Sequence, residues 1–134
     1  MKEKILDIAE VRDIPTDKYT RADGFKIVTT KRTLQILIDN VQSCCENWGY
    51  IHTPDNVNHI IGAELYGLKN VSTEIADKKL KSLNLYEPDT YAQFITLFTS
   101  KGEVTFTVYN EHNGFYSHGA YIIENGVITK EASL

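Results

Sequence analysis

Runs rich in β-branched residues dominate this chain, and in two of them apolar and polar residues alternate with a period of two, the signature of half-buried strands. In "EVTFTVY" (103–109), Val104, Phe106 and Val108 fall on one face and Thr105, Thr107 and Tyr109 on the other. "TLQILID" (33–39) places Leu34, Ile36 and Ile38 on an apolar face, with Gln35, Leu37 and Asp39 on a mixed one. Turn signals join such runs in pairs. "FKIVTT" and "TLQILID" flank Lys31-Arg32, "YAQFITLFTS" and "EVTFTVYN" flank Lys101-Gly102, and "AYIIE" and "VITK" flank Asn125-Gly126. Three hairpins follow, with Gly102 supplying a positive φ to the second turn.

Helical patterning is sparse. "DNVNHIIG" (55–62) offers Asp55 as an N-cap, Val57, Ile60 and Ile61 on one face, and Gly62 at the C-cap, and so predicts one or two turns. "STEIADKKLKSL" (72–83) reads as a short exposed helix or a loop insertion, ended before Pro88. "KILDIAEV" near the N-terminus fits a strand or a short helix on a sheet edge. The pattern therefore predicts an α+β fold. It is a single domain over residues 1–134, mainly antiparallel sheet with one or two short helices.

Composition narrows the function. A chain of 134 residues with 42% apolar residues can bury one core. Net charge is −4 and the 14 basic residues are scattered, so a nucleic-acid polymer is a poor partner. No apolar run is long enough to span a bilayer, and "MKEKILDIAEVRD" has no signal-peptide core. The two cysteines, Cys44 and Cys45, are adjacent. A disulfide between neighbours is strained, so reduced thiols in a cytoplasm are expected.

Four ordered motifs carry a resemblance: "SCCENWGY" (43–50), "IIGAEL" (60–65), "TSKGEVTF" (99–106) and "YNEHNGFYSH" (109–118). They resemble a family of small phage and bacterial proteins, the DUF7448 family, over about residues 23–122. Phe115 stands where that family has a tyrosine after Asn-Gly, and residues 70–90 look like an insertion. The resemblance implies a fold and a phage or mobile-element setting in a bacterial host. It implies no reaction.

Several constellations could carry chemistry. Cys44 and Cys45 with His112 and His118 are zinc-type ligands, beside Glu46, but zinc-binding cysteines are usually two to four residues apart. Cysteine, histidine and Asn113 would also suit a thiol hydrolase, although no hydrolase signature surrounds either thiol. Asn113-Gly114 reads as the tip of a rigid hairpin loop. In "ENWGY", the glycine between Trp48 and Tyr50 would let a backbone or ligand come close, while the indole itself suits the core. His52 and His59 read as solvated or capping groups.

These features favour a non-catalytic binding protein without a cofactor. Its expected role is to inhibit a host defence factor or to sequester a nucleotide signal. Trp48, Tyr50, His112, Asn113, Tyr116 and His118 form the expected ligand or partner site, with Arg21, Lys26, Lys31 and Arg32 as phosphate contacts. The rivals are a metal- or thiol-dependent enzyme built on Cys44, Cys45, His112 and His118, and a virion structural or assembly protein. An exposed first or last strand would allow pairing with a second copy.

Overall fold

The computed structural model of the chain describes residues 2–16, 20–41, 47–71, 90–111 and 118–134. Nine strands run through the described residues. They are β1 (Ile5–Pro15), β2 (Arg21–Thr29), β3 (Thr33–Asp39), β4 (Asn47–Thr53), β5 (Leu65–Val71), β6 (Thr90–Thr99), β7 (Gly102–Glu111), β8 (Gly119–Glu124) and β9 (Val127–Ser133). They form two antiparallel sheets, one ordered β1-β2-β3-β8-β9 and the other β4-β7-β6-β5. The fold is all-β, a correction to the α+β expectation. Among the described residues, no helix is long and apolar enough to cross a membrane.

Alternation explains the layering. Phe25, Ile27, Leu34, Ile36 and Ile38 of the first sheet meet Ile95, Leu97, Val104, Phe106 and Val108 of the second in one buried core. Fully burying side chains of this size stabilises by about 1.5–3 kcal/mol each. The mixed face of β3 is used as well: Leu37 joins Ala22, Tyr121 and Ile123 in a separate cluster on the outer side of the five-stranded sheet.

The three hairpins form as the turns predict. Thr29 N donates to the Arg32 carbonyl at 2.8 Å to close β2–β3. Gly102 has φ 109°, and Asn125 and Gly126 have φ 51° and 83°, the two positive values of a type I′ turn. The segment "YNEHNGFYSH" differs. Strand β7 pairs with β4 and β6, whereas β8 pairs with β3 and β9. The stretch thus connects one sheet to the other and is not a hairpin; residues 112–117 lie outside the described residues.

The expected helix at 55–62 is a single 3-10 turn, Asn58–Ile60, capped by Val57 without a side-chain hydrogen bond. Asp55 does not cap it. Main-chain groups that would continue a helix are engaged by β1: Gly62 N donates to the Ile5 carbonyl at 2.7 Å, and Ile5 N to the Ala63 carbonyl at 2.9 Å. Val57, Ile60, Ala63 and Leu65 point into the core and close one end of the sandwich. The predicted helix or insertion at 72–83 lies outside the described residues. The N-terminal segment is the edge strand β1, with register shifts between Ile5 and Asp7 and between Val11 and Ile14.

Candidate functional site

Strand β4 organises the site. Its pairing with β7 sets Trp48 opposite Asn110, Tyr50 opposite Val108 and His52 opposite Phe106. Period-two geometry therefore puts Trp48, Tyr50 and His52 in one row on the core side of the sheet. The first two were expected at the site; His52 was not. Its spacing from Tyr50 was the available signal.

At one end of the row, Trp48 packs on His118, with ring centroids 5.4 Å apart and planes inclined by 31°. His118 is buried, and its Nδ1 lies 2.6 Å from the Asp39 carbonyl oxygen. Its main-chain N–H and carbonyl both bond residue 134, at 2.8 Å each. Asn110 Nδ2 donates to the main-chain oxygen of Leu134 at 3.1 Å. Trp48 and His118 are therefore brought together, in a packed junction between the sheets. The indole lies against the core.

The space beside Gly49 is filled from within. A Cβ there would stand 2.8 Å from the Tyr109 hydroxyl. The close approach that this glycine permits is made by a ring of the neighbouring strand, not by a ligand.

Farther along the row the surface opens. A recess of about 420 Å³ lies between β1 and β4, the end strands of the two sheets, lined by residues that include Glu10, Phe25, Tyr50, His52 and Asp55. A smaller one of about 170 Å³ shares Glu10, Phe25, His52 and Asp55 and extends toward Asn58. Phe25 forms the floor. It meets Tyr50 edge-on at 5.2 Å, His52 at 5.6 Å and Phe106 at 4.9 Å.

The polar groups of the recess are linked. Tyr50 donates its hydroxyl to Glu10 Oε1 at 2.7 Å, and Arg12 Nε donates to the same oxygen at 2.9 Å. Burial, followed by the Glu10 hydrogen bond, pushes the Tyr50 phenol up to about 12. The same hydrogen bond, with help from Arg12, holds the Glu10 carboxyl below its ordinary range. His52 Nδ1 lies 2.9 Å from the Pro54 carbonyl oxygen. When that nitrogen carries the proton, Nε2 is an acceptor. Glu10 and Phe25 carried no sequence signal, because they come from other strands. In the sequence Asp55 carries only the pattern of a helix cap.

The expected phosphate contacts do not converge. Arg21 and the Lys31-Arg32 pair sit at opposite ends of β2, roughly 30 Å apart at the usual rise per residue. Arg21 Nη1 donates to the Asp13 carbonyl at 3.0 Å. Lys26 is exposed midway along β2, opposite Gln35. Arg32 is committed to structure. Its Nε and Nη2 reach Glu3 at 2.8 and 3.1 Å, and Nη1 lies 3.4 Å from Glu124. Cys44, Cys45, Glu46, His112, Asn113 and Tyr116 lie outside the described residues. Among the described residues, no group of three or more His, Cys, Asp or Glu could hold a metal ion.

Fold and site together define a two-sheet antiparallel β protein with an aromatic-floored recess between two strand edges. The family model described as "Domain of unknown function (DUF7448)" matches residues 2–122, and the chain belongs to that family. The match begins some twenty residues before the resemblance read from the motifs. No curated protein and no solved structure matches the chain.

Proposed function

We propose that this is a non-catalytic binding protein, in a phage or mobile-element setting, that inhibits a protein of the bacterial host's defence. One observation carries this reading: the recess between β1 and β4, with a ring for a floor and hydrogen-bonding groups on its rim. Partly buried tyrosines in such positions act as anchors in protein–protein contacts. Charge favours a protein target over a nucleotide signal. Glu10 and Asp55 would repel a phosphate, and the candidate cations are spread along β2.

The test is co-expression with host defence systems, followed by native mass spectrometry. A retained host protein, lost in Tyr50→Ala and His52→Ala variants that still fold, supports the proposal. A retained nucleotide-like molecule would instead favour sequestration. A species carrying neither, but found in assembled virions, would favour the structural role.

A further inference from the structure

The recess has a chemical bias that narrows what part of a partner it takes. Its two parts form one trough, since they share Glu10, Phe25, His52 and Asp55. Two carboxylates stand on its rim, and no lysine or arginine lines either part among the described residues. Both hydrogen bonds given to Glu10 fall on Oε1. Among the described residues, none donates to its Oε2. The recess is open, and its volume of about 420 Å³ lies in the range of ligand-binding clefts. The rings of Phe25 and Tyr50 line the trough together with Glu10, and the Tyr50 hydroxyl holds Glu10 Oε1.

We infer that this trough binds the guanidinium group of an arginine side chain presented by a partner protein. A guanidinium is planar, donates in a fork that fits a carboxylate, and stacks on aromatic faces. An ammonium supplies the same charge without the plane or the fork. Arg12 is not among the residues lining the trough and bonds Glu10 through Nε alone, at 2.9 Å to Oε1, so it does not supply the forked contact. The inference rests on the binding-protein reading above and specifies its ligand chemistry.

The experiment is an NMR titration of the whole chain that follows the ring resonances of Tyr50 and His52. The probes are N-acetyl-arginine amide, N-acetyl-lysine amide and AMP. The arginine probe is expected to shift both rings saturably and to bind at least about fivefold more tightly than the lysine probe, since the two carry equal charge. Glu10→Gln should weaken it roughly tenfold, the loss of one charge-assisted contact. Tyr50→Ala should also weaken it, without changing net charge. Thermal unfolding of both variants checks that the fold persists.

Equal binding of the two cationic probes, or no dependence on Glu10 and Tyr50, would overturn the inference. Tighter binding of AMP at the same rings would overturn it too, while leaving a binding site in place. Arginine selectivity in a chain that retains no host protein on co-expression would sink the inhibitor reading and leave this one standing.

Discussion

Replacing Arg32 by methionine should destabilise the protein by about 2–3 kcal/mol at pH 7, because it strands a largely buried carboxylate. Arg32 donates two hydrogen bonds to Glu3, at 2.8 and 3.1 Å, and the two side chains are only 23% and 11% exposed. Charge-assisted bonds contribute about 1.5–3 kcal/mol each when measured singly, and a bidentate pair is less than additive. The Glu124 contact is longer, at 3.4 Å, and its side chain is 36% exposed, so it adds at most about 0.5 kcal/mol. Thr29 still donates to Glu3 at 2.6 Å after the change, which limits the loss.

The penalty has a definite pH dependence. Burial alone would raise the Glu3 carboxyl, but the hydrogen bonds from Arg32 and Thr29 outweigh it, and the group titrates below its ordinary 4.5. A carboxyl depressed in the folded state stabilises above its unfolded value, and that stability is lost as pH falls through its folded value. The Arg32→Met penalty should therefore be full above about pH 5 and shrink steadily in more acidic solution. Urea denaturation of the wild type, Arg32→Met, Glu3→Gln and the double variant at pH 7 and pH 3 measures it. The pairwise coupling should be about 1–2 kcal/mol at pH 7 and smaller at pH 3, where part of the Glu3 carboxylate is protonated. Equal penalties at the two pH values would refute the argument and return Arg32 to the pool of ligand contacts.

Phe106 is fully buried beneath Phe25 and His52, so Phe106→Ala should cost about 3–5 kcal/mol in denaturant melts. A Cβ at Gly24 would run into the Ile36 carbonyl oxygen of the neighbouring strand. Gly24→Ala should lose about 3 kcal/mol, and an unchanged melting temperature would contradict the close packing there. In a spectrophotometric alkaline titration, Tyr50 should ionise near pH 12 and vanish from the curve in Tyr50→Phe. Because its folded value is raised, its contribution to stability is complete below about pH 10 and disappears as pH rises through about 12.

The parts of the fold that were legible in the sequence share one property: a local pattern and a local turn agree. Lys101-Gly102 and Asn125-Gly126 each sit between strand-like runs, and Gly102, Asn125 and Gly126 adopt the positive φ those turns favour. Strands β4 and β5 escaped notice because "NWGYIHT" and "LYGLKNV" combine rings, glycines and polar residues without a clear period. Their pairing is dictated by β7 and β6, distant in sequence. The spacing at 55–62 mimics a longer helix because Val57 and Ile60 satisfy it equally well from a single 3-10 turn packed on the core. At the site, Trp48 and His118 do meet. The recess eluded sequence reading because it is assembled across sheets: Glu10 reaches Tyr50 over forty positions of chain.

The irregular first strand has a consequence for how copies of the molecule behave together. Its two register shifts and the left-handed backbone at Asp13, φ 53°, break the even ladder that a sister chain would need in order to dock alongside. Charged groups at Asp7, Glu10 and Arg12 project from the same border, and such features discourage fibre-like stacking. The mouth of the recess opens along this kinked margin, so the irregularity that discourages a strand from docking there also leaves the border of the opening uneven.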